Sequence, residues 1–218
     1  MEQDLVQFAA DNLLLFSVIT FVAFLLLWIV IRSRPPHKAR RLIRRALKRK
    51  DQPEEALELL DAALRIDPQN NYILHTAASI AISASYWGRA IEYLQRLEAR
   101  GELSTFQRIQ LGGALSLTER YHESIALLQG VEETNPYFVK ALYITGLAFY
   151  ELQDYESAIA TYKRGPLRKR KLDGDLMNLH YGLAQALEAI GKHEEAKRHY
   201  RRVYVVDINY RDVSTKVG

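Results

Sequence analysis

Histidines and carboxylates are the residues of this chain that could do chemistry, since it has six His, 26 Asp+Glu and no Cys. His122-Glu123 and His193-Glu194 are the closest approach to a metalloprotease helix, but Ala126 and Lys197 stand where the second histidine is needed, four residues on. The lack of cysteine excludes disulfides, thiolate zinc sites, iron–sulfur clusters and a thiol nucleophile. No Gly-x-Ser-x-Gly elbow occurs, and Gly112-Gly113 is not followed by a phosphate-binding lysine. The pairs Glu54-Glu55 and Glu194-Glu195 suit helix N-termini, where carboxylates complement the dipole. The reading is of a protein that is not an enzyme, with no cofactor and no metal.

Charge points instead to binding. Residues 32–50 carry ten basic side chains and no acidic one, leaving residues 51–218 with 20 basic against 23 acidic, so the pI of 9.2 averages a basic collar with a mildly acidic body. Arg40, Arg41, Arg44, Arg45 and Lys48 recur at helical spacing opposite Leu42, Ile43, Ala46 and Leu47, the pattern of a basic amphipathic helix. Such a helix either lies on anionic headgroups, at about 1 kcal/mol per cation, or only enforces topology. With no aromatic residue interleaved to stack on bases, nucleic acid is not expected as a partner. A second basic run, Lys163 to Lys171, places Arg168, Lys169, Arg170 and Lys171 after Gly165-Pro166, either as a docking patch for an acidic partner or the membrane surface, or as a solvated loop.

Behind a short acidic tail (1–12), residues 13–31 are uncharged and would span about 28 Å as a helix, close to the hydrocarbon thickness. The run is too long for a signal peptide, and Arg-Ser-Arg-Pro-Pro follows it in place of a cleavage site. A transmembrane helix is therefore expected there, with the lipid bilayer as a partner. The cations beyond it place the N-terminus outside and the rest in the cytoplasm.

The remainder repeats. Aligning Gly112 with Gly146 sets a period of 34 residues and units 37–70, 71–104, 105–138, 139–176 and 177–210, the fourth lengthened by four residues, with residues 211–218 as a capping tail. Position 20 of the unit is Ala56, Ala90, Ser124, Ala158 and Ala196, and position 8 is Ala78, Gly112, Gly146 and Ala184, small side chains where two antiparallel helices approach closely. Arg44 breaks the second column, so the first helix, within 32–50, is expected to pack on lipid rather than on its partner. Bulk recurs at position 24, with Leu60, Leu94, Leu128, Tyr162 and Tyr200.

These columns, clearest in YITGLAFYELQDYESAIATY (143–162) and YGLAQALEAIGKHEEAKRHY (181–200), resemble the tetratricopeptide-repeat (TPR) family. The resemblance implies an all-α helical-hairpin solenoid, a right-handed superhelix, whose first helices line a concave groove for protein or peptide partners. Carried onto this chain, the groove positions are Tyr72, His75, Ser79 and Ile82; then Phe106, Ile109 and Ser116; then Lys140, Tyr143, Leu147 and Tyr150; and finally Asn178, Tyr181, Gln185 and Glu188. Their aromatic character suits an apolar or helical segment, while some of the rings would close the interior between units. His75/Ser79 and Ile109/Gly113 do not reproduce the family's carboxylate clamp. The expected function is a membrane-anchored scaffold or adaptor. The alternative is a subunit of a large membrane machine, such as a secretion or motility apparatus, or an assembly factor, with homo-oligomers in view. The plan of one span followed by repeats is similar to a bacterial envelope assembly factor, which implies the inner membrane, whereas a eukaryotic origin would point to organelle import receptors.

Overall fold

The computed structural model describes residues 37–217 together with Phe21, Val22, Phe24 and Leu25. The expected span 13–31 falls mostly outside them. Among the described residues no helix is long and apolar enough to cross a membrane. Every element they form from His37 onward is helical. The chain divides into two compact units, residues 1–70 and 71–218.

The described part of the first unit is a hairpin of α1 (His37–Leu47) and α2 (Pro53–Ile66). Pro53 begins α2, where its missing N–H costs nothing, and Glu54 and Glu55 follow in the first turn. The apolar stripe of α1 faces α2: Ala39, Ile43 and Ala46 are buried, while Arg40, Arg41, Arg44, Arg45 and Lys48 are exposed. This corrects the expectation that α1 would turn its apolar side to lipid. Arg44 is tolerated at the small-residue position because it points outward, and alanines at 39 and 46 supply the close approach instead.

The second unit contains four hairpins and a cap. These are α3 (Asn71–Ser83) with α4 (Trp87–Glu98), α5 (Thr105–Leu117) with α6 (Tyr121–Leu128), α7 (Phe138–Glu151) with α8 (Tyr155–Lys163), α9 (Gly174–Ala189) with α10 (His193–Tyr204), and the short α11 (Val213–Val217). Each second helix packs on the first helix of the next pair, and α11 packs on α10.

The first helix of each pair in the second unit ends alike. Ser85, Glu119, Gln153 and Gly191 adopt left-handed backbone, with φ of 60°, 61°, 61° and 76°. The following residue's N–H reaches back five positions, as in Tyr86 to the Ala81 carbonyl (2.8 Å) and Asp154 to that of Phe149 (2.9 Å), which satisfies carbonyls at the helix end and reverses the chain.

The small-residue columns have a specific use. A Cβ on Gly112 would lie 2.6 Å from Leu128 Cδ1, and one on Gly146 would lie 2.4 Å from Tyr162 Cε1, so position 8 is emptied to receive the bulk at position 24. Tyr162 is fully buried, and its ring also abuts Gly182 on the next hairpin, where a Cβ would lie 2.7 Å from Cζ. Ser124 is polar in an apolar column because its Oγ donates to the Gly112 carbonyl at 2.8 Å.

Between α8 and α9 the inserted loop is fixed at both ends. Leu172 is buried, Asp173 caps α9 by accepting from the Leu176 N–H at 2.9 Å, and Arg202 donates to the carbonyls of Leu167 and Lys169.

Candidate functional site

The expected groove positions lie on α3, α5, α7 and α9, and the structure treats its two ends differently. Toward α3 and α5 they are open. Tyr72 is 57% exposed and Phe106 is 44% exposed, its ring 5.4 Å from that of Tyr137, which the sequence reading did not single out. The His75 ring is oriented by Gln107, whose Nε2 donates to Nδ1 at 2.6 Å. Gln107 is itself held by the capping box with Ser104 that starts α5. Ser79 is exposed, and Ile82 and Ser116 are half-buried. Ile109 is a correction: at 2% exposure it belongs to the apolar interior with Leu128 and Leu142, because a β-branched side chain at that register fills space between hairpins.

Toward α7 and α9 the same face is occupied by the chain's own C-terminus. Lys140 is exposed, and Leu147 and Gln185 are half-buried. Tyr150 is half-buried with its ring edge-on to Tyr155 at 5.3 Å. The remaining positions are engaged by residues 210–216. Tyr210 Oη donates to Asn178 Oδ1 at 2.5 Å, and Arg211 Nη2 donates to Tyr143 Oη at 3.1 Å and to Asn178 Oδ1 at 3.0 Å. The Arg211 guanidinium lies 4.7 Å from the centre of the Tyr181 ring and 5.3 Å from that of Tyr210. Tyr181 donates to Asp212, and Lys216 Nζ reaches both Glu188 oxygens at 3.0 and 2.9 Å.

The electrostatics follow from these contacts. The Lys216 ammonium, with Tyr200 donating as well, holds the Glu188 carboxyl below its ordinary range. Burial, reinforced by the Asp212 carboxylate, keeps the Tyr181 phenol protonated well above its usual titration. Val213 is fully buried, so the segment is seated as well as tethered. The signal for this contact was present in Asn209-Tyr210-Arg211-Asp212, a run that straddles the end of the last unit, but repeat spacing alone carries no information about a tail folding back.

Two further features lie off the groove. His180 is buried, with its Nδ1 2.8 Å from that of His199 on α10, and its Nε2 has no hydrogen-bond partner among the described residues. Arg168, Lys169, Arg170 and Lys171 are exposed on the loop that Arg202 clamps. Among the described residues, no three His, Cys, Asp or Glu side chains converge as a metal site would require.

Comparison with known proteins agrees with this architecture. Models of the tetratricopeptide repeat match residues 114–174 and 178–204, so these stretches are tetratricopeptide repeats and the described fold is an all-α helical-hairpin stack of that kind. Among solved structures, MamA from Desulfovibrio magneticus RS-1 is similar with a TM-score of 0.65 at 19% identity, over 82% of this chain and 99% of that one. A thermophilic TPR protein of Thermus thermophilus gives 0.53 at 19% identity, over 82% and 96%. YrrB, described as a TPR protein with an unusual peptide-binding site, gives 0.61 at 16% identity, over 80% and 89%. At such identities the likeness concerns the fold alone. No match was found among curated proteins.

Proposed function

We propose that this protein is a membrane-anchored scaffold that captures a segment of a partner protein on the first-helix face of its repeats. The observation that carries the reading is the open aromatic end of that face, where Tyr72 and Phe106 are exposed beside a hydrogen-bonded His75. Exposed aromatic rings on rigid helices offer large contact area at little entropic cost. The peptide-binding site named for YrrB supports the same use of the fold here. Residues 13–31 hold the scaffold in a bilayer, the bacterial inner membrane, with the basic collar and the repeats on the cytoplasmic side. The exposed cations of α1 meet anionic headgroups, and tethering raises the effective concentration of weak contacts.

A photoreactive aromatic residue at position 106, in the full chain in native membranes, should cross-link a defined partner. Tyr72→Ala should weaken that product at least about tenfold, the loss expected of an interface hot spot. Equal cross-linking from the Tyr72→Ala chain would refute the groove assignment.

A second reading, a structural subunit that stacks on neighbours or on copies of itself, is favoured by Val205, Val206 and Ile208, which are 84%, 49% and 53% exposed after α10. Discrete oligomers in light scattering that dissolve on Val206→Asp would support it, and a clean monomer would reject it.

A further inference from the structure

We propose that Tyr143, Asn178 and Tyr181 form a seat for an arginine side chain of the partner segment, occupied in the unliganded chain by Arg211 and vacated when the partner binds. This rests on the groove reading and names the chemistry of its occupant. The seat suits a guanidinium: two oxygens, Tyr143 Oη and Asn178 Oδ1, accept from its Nη2 at 3.1 and 3.0 Å while the Tyr181 ring lies 4.7 Å from its carbon. A planar, weakly hydrated guanidinium can lie against a ring face while its N–H groups donate in plane, which favours it here over a strongly hydrated ammonium.

The three residues come from two successive hairpins, on α7 and α9; Tyr143 and Asn178 are half-buried, and Tyr181, with Arg211 over its ring, is buried. The tail thus sits in the groove as a tethered ligand. It also carries a second anchor, Lys216 on Glu188, five residues beyond Arg211. When the tail leaves, the guanidinium seat and the Glu188 carboxylate open together. The matching partner is a basic segment bearing Arg and, five residues later, Lys.

The resident is poised to leave. Arg211 has left-handed backbone, φ 49°, a conformation disfavoured for any residue with a Cβ. The helix that follows has five residues and does not hold itself together once undocked. Arg211 is exposed, so a competing side chain reaches the seat from solvent.

The test uses the full chain in detergent and a fluorescent peptide of its own residues 207–217. Fluorescence anisotropy should show the Arg211→Ala chain binding this peptide at least tenfold more tightly than the unaltered chain, whose seat is filled. Replacing the peptide's arginine by alanine, or Asn178→Ala in the Arg211→Ala chain, should abolish that gain, and lysine in place of the arginine should not restore it. The Lys216→Ala chain, loosened at the other anchor, should show a smaller gain in the same direction. Equal binding by all chains, no binding by either variant, or full restoration by lysine would overturn the proposal. If the seat fails while the position-106 cross-link still depends on Tyr72, the arginine assignment alone is wrong; if both fail, so is the groove reading.

Discussion

Acid should weaken this fold through one histidine pair. His180 and His199 share a single hydrogen bond, Nδ1 to Nδ1 at 2.8 Å, in which one ring donates and the accepting ring must be neutral, and burial disfavours the charged form of either. A proton on the accepting Nδ1 would set two N–H groups nose to nose. Burial, followed by the neighbouring His199 and the Arg202 guanidinium, pulls His180 from an ordinary 6.5 down to about 4. His199 is also lowered by burial, with Arg202, Lys163 and Arg198 acting in the same sense and Glu195 opposing them.

The unfolded chain takes up the proton first. The contribution of the neutral pair is therefore complete above about pH 6.5, falls as the pH drops, and is gone below about 4. At 1.36 kcal/mol per pH interval the full effect is about 3 kcal/mol, with about 2 kcal/mol already lost at pH 5. Urea unfolding followed by helical circular dichroism at pH 7 and pH 5 measures it. His180→Gln, which does not titrate, should be less stable at pH 7 yet lose far less on acidification. Parallel loss in both chains would refute the neutral pair, since carboxylates alone would then account for the acid sensitivity.

Four further substitutions test the packing, the turns and the loop clamp. Gly146→Ala drives a methyl group to 2.4 Å from the Tyr162 ring and should cost about 1–3 kcal/mol of stability, recovered in part by Tyr162→Leu in a double-mutant cycle read by chemical denaturation. Gln153→Gly relieves left-handed strain and should raise stability by about 1 kcal/mol, whereas Gly191→Ala at the equivalent turn should lower it by a similar amount in the same assay. Arg202→Ala removes the clamp on the Leu167 and Lys169 carbonyls, so trypsin should cut the loop at Arg168–Lys171 several times faster while cleavage elsewhere is unchanged.

The helical repeat was legible because close packing leaves a mark on side-chain size. Ala90, Ser124 and Ala158 are small for steric reasons that do not depend on neighbours far along the chain, and each is fully buried. The left-handed turn was not legible at Ser85, Glu119 and Gln153, since glycine, the residue that advertises such backbone, stands only at position 191. The orientation of α1 was misjudged because a single broken column at Arg44 hid the alanines that bury its other side. Tyr72 and Phe106 could be placed on an open face by register, but Ile109 could not be told from them, as register sets a direction and not what lies in it. Tyr143, Asn178 and Tyr181 were located correctly on first helices, yet their occupation by Arg211 depends on the path of a tail outside the period.

Tyr162 also bears on how the chain tolerates growth. Its ring is keyed into Gly146 on its own hairpin and Gly182 on the next, so the two hairpins are aligned by a peg between helices and not by the length of the strap joining them. The four-residue insertion accordingly lies outward as an exposed basic loop. The position between Arg170 and Lys171 is thus a natural splice point, where a tag or a reporter could be carried on the outside of the stack while the register of the neighbouring helices stays as it is.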